Sequence, residues 1–148
     1  MSRTDLESEA FGLLFVLTQH LGRRADDALV PFGLTSRQWL LLAVLSRSAQ
    51  PPTLSEAATA YGTSRQNVKQ IALQLAARGY LSLEPDPADA RATRLVLSDA
   101  VAAFDEPTAV AAQRALLADV FAALSDDELA ALESAARTTV THLARSAS

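Results

Sequence analysis

Apolar residues recur along this chain at helical spacing nearly everywhere and at two-residue spacing in one place. Phe11, Leu14, Phe15, Leu17, Leu21 and Leu29 make a broad apolar face and predict a first helix running to about Val30. Thr4-x-x-Glu7 has the spacing of a capping box at its start, and Pro31-Phe32-Gly33 breaks it. Thr35-x-x-Gln38 opens a second helix carrying Trp39, Leu40, Leu42, Ala43 and Leu45. Pro51 and Pro52 end the connection that follows. Thr53-x-x-Glu56 then caps a short third helix, with Leu54, Ala57, Ala58 and Tyr61 inward and Gly62 closing it. A fourth helix starts at Thr63 or Ser64, where Thr63 and Gln66 have capping-box spacing. Val68, Ile71, Ala72 and Leu75 form its single apolar stripe, and Gly79 suits a left-handed cap at its end.

The alternation comes next. Leu81 and Leu83 alternate with polar residues, as do Thr93, Leu95 and Leu97, so two short strands flank a turn-rich tip, Pro85 to Ala92. Pro52-Thr53-Leu54 offers a third strand. Ser98 or Asp99 caps another helix, which Asp105-Glu106-Pro107 interrupts early; a restart places Pro107 in the first turn, and a kinked continuous helix is the alternative. Leu116, Leu117, Val120, Phe121 and Leu124 form the next stripe. Ser125-x-x-Glu128 opens a last helix with Leu129, Leu132, Ala136, Val140 and Leu143 on one face, fraying at Ser146-Ala147-Ser148. The pattern predicts a mainly α fold with a small β-ribbon: a winged helix-turn-helix core between N- and C-terminal helices. At 148 residues it is expected to be a single domain with a real core.

Charge sharpens this picture. The chain is acidic, with net charge -4 and pI near 5.1. Yet from Ala57 to Leu83 there is no acidic residue, while Arg65, Lys69 and Arg78 are basic. Ser64, Arg65, Gln66, Asn67, Lys69 and Gln70 fill the first two turns of the fourth helix, mostly off its apolar stripe. Such a face is either an ordinary solvated surface or a recognition helix. Arg, Gln and Asn carry the forks that match base edges, whereas Ser and Lys suit phosphate oxygens. The ribbon favours recognition, because a basic tip with Arg91 and Arg94 can reach a minor groove while the helix occupies the major groove. Asp89, two residues before Arg91, is placed to hold its guanidinium. From Ser98 onward, acidic residues outnumber basic ones, which suits dimerisation better than DNA contact.

The search for catalytic chemistry returns little. With no Cys there are no disulfides, thiolate metal sites or thiol sensing. No nucleotide-binding, metalloprotease or nucleophile-elbow motif occurs, so neither an enzyme nor a cofactor is expected. His20 and His142 read as surface or interface residues; the sharper alternative is a metal- or pH-responsive pair. No membrane-spanning run and no export signal are visible, so a cytoplasmic protein without membrane partners is expected.

Asp86-Pro87-Ala88-Asp89-Ala90-Arg91, followed by Leu95-Val96-Leu97-Ser98, resembles the wing signature of the MarR family of bacterial transcription regulators. Leu34-Thr35-Ser36-Arg37-Gln38-Trp39 resembles that family's entry to its second helix. The resemblance implies a DNA-binding lobe at about 34–98 and dimerisation helices at 1–33 and 99–148. It further implies a homodimeric repressor on double-stranded DNA, released by a small aromatic or lipophilic effector. Arg65, Gln66 and Asn67 are then the base-reading candidates, and Arg91 and Arg94 enter or flank the minor groove. Phe11, Phe15, Phe32, Arg37 and Trp39 could line an effector pocket, though a core and its rim would contain the same residues. The break at Asp105-Glu106-Pro107 departs from the family, where one long helix usually leaves the wing. The alternative is a winged-helix protein-interaction module without DNA binding, which requires an exposed apolar patch around Arg65 to Gln70.

Overall fold

A computed structural model describes residues 1–147; Ser148, part of the end expected to fray, lies outside the described residues. The chain divides into two compact units, Met1–Ser36 and Arg37–Ser148.

In the first unit, α1 spans Arg3–Leu29. Its cap is Ser2 rather than Thr4. The Ser2 hydroxyl accepts the Asp5 backbone N–H, and the Asp5 carboxylate accepts the Ser2 backbone N–H. Two capping-box spacings overlap here, and the earlier one gives the longer helix. Thr4 is then already helical, and Glu7 pairs instead with Arg3 one turn before it. A 3-10 turn over Val30–Phe32, with Gly33 at φ 64, ends the helix where the Pro-Phe-Gly break was expected. Asp26 accepts the backbone N–H of Ser36 at 2.6 Å, and that bond holds its carboxyl below the usual range. Much of the apolar face of α1 is exposed, including Phe11, Leu14 and Phe15; the two phenyl rings meet edge to face at 4.9 Å.

The second unit holds the winged helix. α2 (Ser36–Ser46), α3 (Leu54–Tyr61) and α4 (Arg65–Ala77) are followed by the antiparallel strands β1 (Leu81–Pro85) and β2 (Thr93–Leu97). The core combines Leu41, Leu42 and Leu45 of α2 with Leu54, Ala57 and Ala58 of α3. Val68, Ile71, Ala72 and Leu75 of α4, together with Leu81 and Leu95, complete it. The α4 stripe is the expected one. The inward face of α2 is not, because Leu41 is fully buried while Leu40 is 41% exposed. Residues 39–45 are all apolar, so periodicity could not select the face. Thr53 caps α3 by accepting the Glu56 N–H, and Gly62 ends it with φ 85.

The proposed third strand reduces to one bridge, Thr53 to Arg94, with the Leu95 N–H donating to the Pro52 carbonyl at 2.9 Å. Pro51 and Pro52 have no N–H, so a ladder cannot extend through them.

Beyond the wing, Ser98 caps a 3-10 helix over Asp99–Asp105. Glu106 is extended, and Pro107 occupies the first turn of α5 (Pro107–Val120). The break therefore splits the helix rather than bending it. Ser98 also donates its hydroxyl to the Gly79 carbonyl, and the Phe104 ring lies 6.0 Å from that of Tyr80. α6 (Asp126–Ser146) opens with the full Ser125/Glu128 capping box; Val140 and Leu143 on it are exposed. Among the described residues, no single helix is long and apolar enough to cross a membrane.

Candidate nucleic-acid interface

The recognition segment begins at its cap. The Ser64 hydroxyl accepts the Asn67 N–H at 3.1 Å, so Ser64 rather than Thr63 opens α4. Thr63 takes a different role: its hydroxyl accepts the Asn67 side-chain amide at 3.0 Å. Asn67 is thereby half-buried and tied to the turn, whereas Gln66, expected in the capping box, is exposed. Arg65, Gln66, Lys69 and Gln70 share the exposed side of α4, with Leu73 the only large apolar residue there.

The helix is fixed at its far end, and further hydrogen bonds tie α2 to α4 and to α3. The Gly79 N–H bonds the Ala76 carbonyl and the Tyr80 N–H bonds that of Leu75, a closure that requires φ 81 at Gly79. The Gln38 amide of α2 donates to Gln74 of α4 at 3.0 Å. The Tyr61 hydroxyl donates to the Arg37 carbonyl at 3.1 Å, and burial pushes its pKa up.

The wing tip is built from aspartates. Asp86 accepts the Ala88 N–H at 2.8 Å, and Asp89 accepts the backbone N–H of Arg91 at 2.9 Å. The expected Asp89–Arg91 guanidinium contact is thus replaced by an Asx turn. A carboxylate two residues before an N–H reaches it with little loss of freedom, while a long side chain must be immobilised to be held. Arg94 has the stronger anchor. Its guanidinium contacts the Asp86 carboxylate at 2.8 Å and donates to the Pro51 carbonyl at 2.6 Å. The Ala88 N–H first, and Arg94 second, hold the Asp86 carboxyl below its ordinary value. The Asp86 anchor is local to the wing motif and its first aspartate signals it; the Pro51 carbonyl lies 43 residues away in sequence, and nothing in the pattern marks it.

Arg91 is exposed, and no side-chain hydrogen bond or ion pair holds it among the described residues. It shares with Arg65 a hollow of about 260 Å³, whose lining includes Thr53, Ser55, Asp89 and Thr93. The structure therefore brings the first residue of α4 and the wing tip to one place.

The other candidates fall in both units. Phe11, Phe15 and Phe32 belong to the first unit, Arg37 and Trp39 to the second. Phe11, Phe15 and Arg37 are exposed; Phe32 and Trp39 are half-buried. His20 and His142 are exposed and lie in different units. Among the described residues, no group of three or more His, Asp or Glu side chains is placed to hold a metal ion.

Against this geometry, the model of the MarR family matches residues 32–92. No curated protein matches the chain. Solved structures do. A MarR-family transcriptional regulator from Rhodococcus sp. RHA1 superposes with a TM-score of 0.78 at 19% identity, over 90% of this chain and 94% of that one. BpsR from Bordetella bronchiseptica, whose DNA binding is regulated by 6-hydroxynicotinic acid, gives 0.75 at 22%, over 88% and 98%. CouR from Rhodococcus jostii RHA1, bound to p-coumaroyl-CoA, gives 0.74 at 20%, over 90% and 93%.

Proposed function

We propose that the chain, whose residues 32–92 match the model of the MarR family, is a member of that family and a homodimeric, cytoplasmic repressor of transcription without enzymatic activity. Residues 34–98 form the DNA-binding lobe, and the helices of 1–33 and 99–148 form the dimer. Ser64, Arg65, Gln66, Asn67, Lys69 and Gln70 face the major groove, with Gln66 and Gln70 the free amides for base reading. Arg91 and Asp89 lie at the wing tip flanking the minor groove, and Arg94 holds the wing in place.

The observation that carries this reading is the exposed polar and basic side of α4, capped by Ser64 and flanked by an unpaired Arg91. A protein-interaction module would present an apolar patch here, and Leu73 alone does not make one. Two-fold symmetry sets half-site centres about 10 bp apart on a pseudo-palindromic operator. Sequencing of random genomic fragments retained at physiological salt tests the proposal. An inverted repeat is expected, with Gln66→Ala relaxing particular positions at about 1–3 kcal/mol each; no enrichment over bulk DNA would sink the reading.

BpsR and CouR both act with aromatic acids or their thioesters. A small aromatic or lipophilic acid is therefore the proposed effector class. Phe11, Phe15, Phe32, Arg37 and Trp39 are the side chains to replace once a thermal-shift screen of phenolic acids yields a stabilising compound.

A further inference from the structure

The hollow shared by Arg65 and Arg91 has chemistry of its own. Two guanidinium groups contribute to it, and neither is held by a carboxylate among the described residues. The one carboxylate in the lining, Asp89, already accepts the Arg91 backbone N–H. Its charge leaves a net of one positive. Ser55 and Thr93 add hydroxyl donors. Thr53 uses its oxygen to accept the Glu56 N–H, which leaves its own O–H able to donate. Ser55 also stands in the first turn of α3, where backbone N–H groups have no intrahelical acceptor. A net positive hollow with forked donors and hydroxyls matches a phosphate group better than a base edge or an apolar ligand.

We propose that Arg65 and Arg91 together form one phosphate-binding site, in which a single phosphate is held between the recognition helix and the wing. This rests on the DNA-binding reading above and refines it. With α4 in a major groove and the wing at the neighbouring minor groove, the strand backbone runs between them. A hollow lined by both elements faces that backbone, so Arg65 clamps a phosphate instead of reading a base. The same chemistry would also take a free phosphate.

The test uses the full-length protein. Operator affinity is measured against salt concentration for the wild type, Arg65→Gln, Arg91→Gln and the double variant, with far-UV circular dichroism confirming the fold. One shared phosphate per protomer, two per bound dimer, predicts that the double variant loses about 1.8 from the slope of log K against log salt, and not about 3.6. The lost affinity is uniform across operator base changes, and Arg65→Lys restores most of the slope. A double-variant loss near about 3.6, or a loss for Arg65→Gln confined to certain base pairs, overturns the site. The arginine Nε–H resonances are then titrated with inorganic phosphate against chloride at matched ionic strength. A joint shift of Arg65 and Arg91 identifies a site that also takes free phosphate. No shift, with the shared slope intact, identifies one reserved for the DNA backbone; both results uphold it. If the protein retains no DNA, the regulator reading fails and the titration alone decides: a joint shift upholds the site and its absence overturns it.

Discussion

Arg91 and Arg94 stand three residues apart on the wing and are held in opposite ways. Arg94 reaches back to Asp86 and to the Pro51 carbonyl, while Arg91 is exposed with no partner on its guanidinium among the described residues. Replacing Arg94 by Ala is expected to free the wing without removing a DNA contact. Amide hydrogen exchange should speed up at Asp86 and Ala92, whose N–H groups close the tip, whereas Arg91→Ala should leave that exchange unchanged. The same anchor has a pH dependence of known sign. The folded Asp86 carboxyl lies below its ordinary value of 3.8, so its contribution to stability is complete above that value. It is lost as pH falls through the lower, folded one. Acid exchange profiles of the wing amides should show this, and Asp86→Asn should abolish it. Gly79 gives a cleaner backbone test. An added Cβ would meet nothing within 4 Å, yet φ is 81. Gly79→Ala should therefore cost about 1–2 kcal/mol through the left-handed conformation alone, measurable by chemical denaturation.

Among the elements, α4 was legible in advance because its apolar residues fall at one spacing and its polar ones at another. Val68, Ile71, Ala72 and Leu75 are all buried, and Gly79 closes the helix as its position suggested. α2 was not legible to the same degree. Its seven consecutive apolar residues fit a helix in any rotation, and only the packing of α3 and α4 selects Leu41. Leu41→Ala should accordingly cost about 2–5 kcal/mol, and Leu40→Ala far less, by thermal or chemical unfolding. Caps were legible as spacing but not always as identity. Ser125 and Thr53 cap as read and Ser64 is one of the two residues read as opening α4, while Ser2 displaces Thr4 by extending the helix. Contacts between distant segments, such as Gln38 with Gln74 and Arg94 with Pro51, left no local trace. The phosphate hollow belongs to that class, since Ser55, Arg65 and Arg91 come together only once three elements are folded. The interruption at Asp105-Glu106-Pro107 was readable, because Pro107 cannot supply an N–H to a helix interior, but whether it splits or kinks the helix was not; the extended backbone of Glu106 decides for the split.

For the molecule as a whole, the exposed apolar residues carry the largest consequence. Phe11 and Phe15 on α1 are 66% and 60% exposed, and Val140 and Leu143 on α6 are each 60% exposed. Each of these apolar faces is expected to be covered by association with a second chain. Sedimentation should give a dimer at micromolar concentration, with a melting temperature that rises with protein concentration. Phe15→Asp and Val140→Asp should each shift the protein toward a monomer; retention of the dimer in both would place the interface elsewhere. Net charge adds a second expectation. Residues 34–98 carry seven of the thirteen basic residues against four acidic ones, a positive balance in an acidic protein, so operator binding is expected to depend steeply on salt, with little bulk DNA retained. One further feature sets the scale on which an operator is measured. Thr53, at the mouth of α3, is bridged to Arg94 of β2, and Arg94 is bolted to Pro51 just before it. The turn before α3 is thereby tied to the wing, and α4, which packs on α3, stands with the wing as the two jaws of a calliper. A fixed calliper gauges the width of what it grips. DNA whose backbone-to-groove distance differs from its opening would be refused even when every readable base is correct.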